Sequence, residues 1–151
     1  MGRKMEFQVD ILNEYKRWID CASDEEIKQE LALMKDNFEE INESFYKELD
    51  FGTSGMRGIL GAGTNRLNTY VLRRSNLALA SHINKNCASK SVVISYDSRK
   101  NSSRFARETA ALMSAMGIKA YLFSELTPVP VLVYAITKLS CDYGIMITAS
   151  H

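Results

Sequence analysis

The fold is decided by the stretch from Ser91 to Arg99, which reads Ser-Val-Val-Ile-Ser-Tyr-Asp-Ser-Arg. Its β-branched run over residues 91–96 is typical of a buried strand, and polar residues follow where that strand ends. Downstream, residues 103–117 carry apolar side chains at helical spacing and end on a glycine, which favours helix termination. Residues 119–123 form the next predicted strand. A strand, a helix and a second strand in this order indicate a parallel βαβ unit.

Outward from this unit the alternation continues in both directions. Residues 69–86 form a predicted helix, and residues 51–60 form an extended segment broken by glycines. Thr127 is predicted to cap a helix with two prolines in its first turn, and residues 143–148 form the last strand. We therefore expect an α/β fold: a mixed, mostly parallel sheet of about four strands with helices on both faces and right-handed crossovers. Ligands of such sheets gather outside the carboxyl ends of the strands.

An acidic N-terminal helical arm is predicted to precede this sheet. Apolar residues follow one helical stripe over residues 10–20, and Ser23 begins a capping box that Glu26 completes. Apolar positions then recur at steps of four and three as far as Phe45, and Asn37 is a point where two helices can separate. The seam is too short for a convincing coiled coil, so an arm packed on its own domain is favoured over a partner-binding helix.

Charge divides the chain in the same place. The 151 residues carry a net charge of +1, but residues 1–50 hold 7 basic and 14 acidic residues, whereas residues 51–151 hold 12 and 4. This asymmetry supports two regions, an arm over 1–48 and an α/β domain over 49–151. No apolar run is long enough for a membrane span, and no secretory signal is recognisable. The three cysteines fit neither a zinc site nor a disulfide framework, so we expect reduced, buried thiols in a cytoplasmic protein.

The glycine-rich segment Phe51-Gly52-Thr53-Ser54-Gly55-Met56-Arg57-Gly58 is the first candidate for chemistry. Its backbone N–H groups, its hydroxyls and the Arg57 guanidinium suit an anion such as phosphate. It lacks the Gly-Lys-Ser/Thr of a Walker loop, and the glycines that follow complete no dinucleotide fingerprint. A glycine-rich bend without a ligand remains an equal alternative.

Two further segments lie where the chain leaves a strand or enters a helix. In Tyr96-Asp97-Ser98-Arg99, the carboxylate and the guanidinium hold either each other or a ligand, and a strand-end turn with a surface ion pair is the simpler interpretation. The segment Thr127-Pro128-Val129-Pro130 is interpreted as a helix start, although a helix N-terminus also attracts anions.

The last residues, Thr148-Ala149-Ser150-His151, follow the final predicted strand. A serine at the carboxyl end of a buried strand is well placed to be a nucleophile or a phosphate carrier. The segment lacks the flanking glycines of a hydrolase elbow. A chain end without function is the common alternative, but the sequence ends directly after a predicted strand, without the loop that normally follows, which suggests a truncated domain.

Together these motifs resemble the α-D-phosphohexomutase superfamily, the phosphoglucomutases and phosphomannomutases. The resemblance covers residues 49–151, with four motifs in family order, and Thr-Ala-Ser-His matches the start of the family's phosphoserine loop. The arm and the segment from Gly61 to Arg66 are most similar to the longer phosphoglucomutase branch, which includes phosphopentomutase-like members.

The resemblance implies a role for each matching residue. Ser150 matches the phosphoserine that exchanges phosphoryl groups with hexose phosphates through a hexose 1,6-bisphosphate, and His151 its catalytic neighbour. Thr53, Ser54 and Arg57 match the phosphate-binding segment beside that serine, and Arg99 is a weaker match with a loop-positioning role. The family's Mg²⁺ lies between an oxygen of the phosphoserine, here Ser150, and aspartates of a second domain.

The family's metal loop, general-base lysine, sugar-recognition loop and phosphate clamp all follow the serine loop and are not in this chain. We therefore expect the chain alone to be inactive and to bind no Mg²⁺. A stand-alone module that binds phosphosugars or nucleic acid is the alternative, but the basic residues lack the interleaved aromatics of nucleic-acid grooves, so neither nucleic acid nor membrane is expected as a partner. A serine hydrolase is disfavoured, because adjacent strand residues point to opposite faces. Sugar preference and oligomeric state are not predicted.

Overall fold

In this computed structural model, residues 2–53 and 55–148 are described, except for the side chains of residues 2–9. Contacts divide the chain into two compact units, residues 1–71 and 72–151. The elements are α1 (Gly2–Cys21), α2 (Glu25–Leu33), α3 (Phe38–Phe45), β1 (Phe51–Gly52), β2 (Gly55–Met56), α4 (Thr69–Asn86), β3 (Ser91–Tyr96), α5 (Ser102–Ala115), β4 (Lys119–Leu122), α6 (Val129–Leu139) and β5 (Tyr143–Ile147). No helix among the described residues combines the length and the apolar character that a bilayer crossing requires.

The first unit is built around the predicted N-terminal helical arm. The apolar seam of α2 and α3 is buried against α1 in one cluster that includes Ile11, Tyr15, Ile27, Leu31, Met34, Ile41 and Phe45. The Tyr15 hydroxyl donates to the Leu31 carbonyl oxygen at 2.7 Å, and Trp18 packs edge-on against Phe45. The seam therefore stabilises its own unit, as the favoured interpretation requires.

The helix caps confirm one prediction and correct another. Asn37 separates α2 from α3, and its side-chain oxygen accepts a hydrogen bond from the Glu40 N–H at 3.2 Å. The N-cap of α2, however, is Asp24, which accepts from the Glu26 N–H at 3.0 Å. Ser23 was predicted for this role, but its N–H donates to the Tyr70 hydroxyl at 2.7 Å, so a residue far along the chain displaces the cap by one position.

The glycine-rich segment forms a small hairpin in this unit. The antiparallel strands β1 and β2 pair Phe51 with Met56 and Gly52 with Gly55. They hydrogen-bond to each other rather than to the main sheet, so the segment does not supply the fourth strand that the sequence predicts.

The second unit contains a three-stranded parallel sheet in the order β4-β3-β5. The α/β class is confirmed, and the three strands of the main sheet roughly match the expected size of about four. The central strand β3 begins and ends where the sequence predicts, and all six of its residues are buried.

Helices cover both faces of this sheet, as predicted. Val92 and Ile94 point towards a cluster that includes Ile83 of α4 and Met113 of α5. Val93 points the other way and packs with Leu132 of α6. This alternation follows from the two-residue repeat of a strand.

The three cysteines are free, as expected, but only Cys141 is buried. Cys87 is half-buried, and Cys21, the last residue of α1, is exposed. The prediction of three buried thiols is wrong for these two.

Candidate active site at the carboxyl ends of β3 and β5

The strand order places the candidate site between the ends of β3 and β5. From β3 the chain moves to β4 on one side and then returns past β3 to β5 on the other. In open parallel sheets such a reversal of direction leaves a crevice outside the carboxyl ends, where ligands bind. The Asp97 N–H donates to the Ile147 carbonyl oxygen at 3.1 Å, so the two strand ends are joined there.

The Asp97 carboxylate joins three segments at this point. Its Oδ2 accepts a hydrogen bond from the Thr148 hydroxyl at 2.6 Å. Its Oδ1 accepts from the Ser102 hydroxyl at 2.7 Å and from the Arg99 N–H at 3.1 Å. The Arg99 Nε lies 3.5 Å from Oδ2, so the predicted pairing of this carboxylate with this guanidinium is present in the structure. The carboxylate therefore links the end of β3, the start of α5 and the end of β5.

The surroundings of Asp97 favour its ionised form. Partial burial by itself raises the pKa of the carboxyl, but the hydrogen bonds from Thr148 and Ser102 lower it, as do the Arg99 N–H and the Arg99 charge. The lowering contributions outweigh burial, so the pKa of Asp97 lies below its ordinary value. Asp97 is thus a charged acceptor at neutral pH.

An open, basic cleft lies beside this carboxylate, at the start of α5. It has a volume of about 470 Å³ and is lined by Arg99, Asn101, Ser103, Arg104, Arg107 and Glu108. The one carboxylate in this set, Glu108, is held by Arg73, whose Nη2 lies 2.6 Å from it. The lining therefore carries three guanidinium groups, one of which, Arg99, is paired with Asp97, and such a surface attracts anionic ligands.

The segment before α6 is also tied to the end of β3. The Ser95 hydroxyl donates to the Thr127 carbonyl oxygen at 2.7 Å, and the Thr127 N–H donates to the Tyr96 carbonyl oxygen at 3.2 Å. The N-cap of α6 is Pro128, not Thr127 as predicted, because the Thr127 hydroxyl donates to the Glu125 carbonyl oxygen instead. Pro130 lies in the first turn, as expected.

The predicted phosphate-binding residues fall in both units. Thr53 lies in the turn between β1 and β2, Arg57 directly follows β2, and both are exposed. Arg99 lies in the second unit, beside Asp97. Ser54, Ser150 and His151 lie outside the described residues, so their roles stay predictions.

The described residues do not by themselves provide a magnesium site. No group of three or more His, Cys, Asp or Glu side chains among them is arranged to hold a metal ion.

The contact between Asp97 and Thr148 is not predicted by the sequence. Both residues directly follow strands, and the carboxyl ends of neighbouring parallel strands meet at one edge of a sheet. Consecutive strands are more often neighbours, and that expectation places β5 beside β4. The sequence does not indicate that β5 lies next to β3 instead.

Comparison with known proteins identifies the family. The family model for the phosphoglucomutase/phosphomannomutase alpha/beta/alpha domain I matches residues 48–151. A phosphoglucomutase of Staphylococcus saprophyticus is 39% identical over 125 residues, which cover 80% of this chain and 23% of that protein. A phosphopentomutase of Mus musculus is 36% identical over 136 residues, or 84% of this chain and 22% of that protein.

A phosphoglucomutase of Staphylococcus haemolyticus is 41% identical over 109 residues, which cover 72% of this chain and 20% of that protein. The chain thus spans between a fifth and a quarter of the length of these relatives. No solved structure gives a significant match. The match over residues 48–151 covers more than half of the chain, which therefore belongs to the phosphoglucomutase/phosphomannomutase family and contains its first domain.

Proposed function

We propose that the chain is the N-terminal domain of a phosphohexomutase that interconverts hexose 1-phosphate and hexose 6-phosphate. The observation that carries this proposal is the family match over residues 48–151, a range that includes both the glycine-rich segment and the Thr-Ala-Ser-His segment. The basic cleft beside Asp97 supports it, because the substrates carry phosphate.

Ser150 is the phosphoryl carrier in this proposal. Phosphoserine 150 passes its phosphoryl group to the free 6-hydroxyl of hexose 1-phosphate: the serine Oγ–P bond breaks, a P–O6 bond forms, and the proton of the 6-hydroxyl passes by way of a base to the serine Oγ. In the return step the serine Oγ attacks the 1-phosphoryl group of the resulting hexose 1,6-bisphosphate: an Oγ–P bond forms, the P–O1 bond breaks, and the serine proton passes to O1, so that the sugar leaves as hexose 6-phosphate. Atoms and charge balance over the cycle, and the serine ends phosphorylated as it began.

The other residues of the site bind or orient. Thr53, Ser54 and Arg57 donate to phosphate oxygens, and His151 assists beside the serine. Phosphoryl transfer depends mainly on positioning and on neutralisation of charge, which is what such donors supply. Arg99 serves indirectly through its pairing with Asp97, in keeping with the loop-positioning role expected for it.

Mg²⁺ is proposed as a requirement of the complete enzyme, where a divalent cation would neutralise charge on the transferred phosphoryl group. The described residues do not form its site, so no step is assigned to it here. The 151-residue chain alone is expected to catalyse no turnover.

A pentose phosphate is the second candidate substrate. The relatives include proteins called phosphopentomutase as well as proteins called phosphoglucomutase, at similar levels of identity. Both reactions move a phosphoryl group between two oxygens of one sugar, so the same serine serves either.

The test uses the full reading frame that contains residues 1–151, purified and primed with glucose 1,6-bisphosphate in the presence of Mg²⁺. Conversion of glucose 1-phosphate to glucose 6-phosphate is followed by a coupled dehydrogenase, with ribose 1-phosphate as the competing substrate. Ser150→Ala is expected to reduce turnover at least about 1,000-fold, the order found when a catalytic nucleophile is removed.

Ser114→Ala is the matched control, because Ser114 is an exposed serine near the end of α5. A Ser150→Ala enzyme that keeps the rate of this control would contradict the proposal. Binding of an oligonucleotide at physiological ionic strength, with a steep dependence on salt, would instead support the nucleic-acid alternative.

A further inference from the structure

Two hydrogen bonds join the end of β5 to Asp97. The Asp97 N–H holds the Ile147 carbonyl oxygen at 3.1 Å, and its carboxylate holds the Thr148 hydroxyl at 2.6 Å. One residue thus fixes both the last residue of β5 and the residue that follows it. Ile147 and Thr148 are the last two described residues before Ser150 in the sequence.

Asp97 is itself held from the opposite side. Ser102 and the Arg99 N–H bind its Oδ1, and Ser102 is buried with 3% of its surface exposed. The bond from the Arg99 N–H closes a tight turn after β3, and the bond from the Ser102 hydroxyl joins that turn to the first residue of α5. These hydrogen bonds therefore hold the Asp97 carboxylate in one position at the end of β3.

Thr148 is two residues before Ser150. Two residues of fully extended chain span at most about 7 Å between Cα atoms. A contact that holds Thr148 in place therefore restricts the region that the Ser150 side chain can reach. A displacement of about 1 Å at a reacting group can cost on the order of 100-fold in rate, because the reacting atoms must lie close together and in line. Phosphoryl transfer is especially sensitive to this, since positioning is most of its catalysis.

We propose that Asp97 is a positioning residue for the proposed phosphoserine, acting through its hydrogen bond with the Thr148 hydroxyl. This inference rests on the proposed function. It assigns Asp97 no contact with the substrate, because an ionised carboxylate repels phosphate and its oxygens already accept bonds from Arg99, Ser102 and Thr148.

The central test is Thr148→Val, which removes the hydroxyl and keeps the shape of the side chain. In the full reading frame we expect kcat to fall about 10- to 100-fold, as expected for a displaced reacting group, with KM unchanged within about twofold. Thr148→Ser restores the hydroxyl and is expected to recover most of the rate. Thr137→Val is the matched control, because Thr137 is exposed on α6 and its hydroxyl donates to the Val133 carbonyl oxygen within the same helix.

A double variant tests whether the two residues act through one contact. If they do, Asp97→Ala with Thr148→Val loses no more activity than Asp97→Ala alone. Independent losses that multiply would overturn the proposal. So would a Thr148→Val enzyme with the kcat of the Thr137→Val control, or one in which only KM changes, because the contact would then serve substrate binding.

Hydrogen exchange separates this inference from the proposed function. In the 151-residue chain, Thr148→Val is expected to speed amide exchange in the peptide of residues 143–151 at least about fivefold over the Thr137→Val control, because strand ends released from a hydrogen bond open more often. Equal exchange in the two variants overturns the positioning role. A wild-type enzyme that converts no sugar phosphate overturns the proposed function, and the exchange result then still decides whether Asp97 holds this segment.

Discussion

Replacing Asp97 by Asn removes one charge and changes the atoms of the side chain very little, so it measures what the ionised carboxylate contributes. The amide retains one oxygen for the Arg99 N–H and the Ser102 hydroxyl, while its nitrogen faces the Thr148 hydroxyl. Hydrogen bonds to a charged group contribute about 1.5–3 kcal/mol and neutral ones about 0.5–1.5 kcal/mol. Each of the three hydrogen bonds is expected to weaken by up to about 1 kcal/mol. Because the Asp97 side chain is 23% exposed, solvent screening reduces this sum, and we expect the free energy of unfolding to fall by about 2 kcal/mol at pH 7.

This loss is expected to depend on pH in a defined direction. Because the pKa of Asp97 is lowered in the folded state, its ionised form stabilises the fold above the pKa of the unfolded chain, about 3.9. That contribution is lost as the pH falls from there through the folded pKa. Wild type and Asp97→Asn should therefore differ fully between about pH 5 and 7 and converge below about pH 4.

Urea denaturation of the 151-residue chain, followed by far-UV circular dichroism, measures both unfolding free energies as a function of pH. Hydrogen exchange of residues 91–96 assigns the transition to the unit that contains β3, because these amides open with the sheet. A difference between the two proteins that stays constant from pH 7 to pH 3.5 would show that the charge of Asp97 is not the source of this stability. So would a variant that is as stable as wild type at pH 7.

Two further predictions concern the first unit, and urea denaturation followed by Trp18 fluorescence tests both. Leu31→Ala should cost about 2–5 kcal/mol because Leu31 is 1% exposed, whereas Leu33→Ala in the same helix should stay within about 0.5 kcal/mol because Leu33 is 85% exposed. Equal losses would show that this cluster is not the core. Gly63→Ala should cost about 2–6 kcal/mol, since its φ is +127° and its new Cβ would lie 2.4 Å from the Ser44 carbonyl oxygen. Gly55→Ala has a φ of +114° but no atom within 4 Å, so it should cost only about 1–3 kcal/mol, and an equal loss at both glycines would contradict the steric argument.

The elements that could be predicted from sequence are those with strong local signals. Helix α4 and strand β3 have the predicted bounds, because an amphipathic period and a β-branched run each determine structure within a few residues. Helix α5 ends where Gly117, with a φ of +75°, adopts the left-handed conformation that the sequence predicts for a helix stop.

The errors lie where a distant residue decides a local choice. Ser23 carries the local signature of an N-cap, yet the Tyr70 hydroxyl binds its N–H and hydroxyl, and Asp24 takes over the cap. The glycine-rich segment at residues 51–56 has the extended character of a strand, but its partner is its own second half. Local patterns state that a segment is extended and leave open what it pairs with.

The candidate site depends on strand pairing, which the local sequence does not specify, more than any helix or strand does. Asp97 and Thr148 each look like ordinary polar residues after a strand, and 51 positions of sequence separate them. They meet only because β5 pairs with β3, a register in which Tyr96 lies opposite Ile147. A slip of one residue would turn the alternating side chains of β5 to the other face and carry Thr148 away from the carboxylate. The apolar packing of β3 against both helical layers therefore sets not only stability but also the position from which the proposed phosphoserine segment begins.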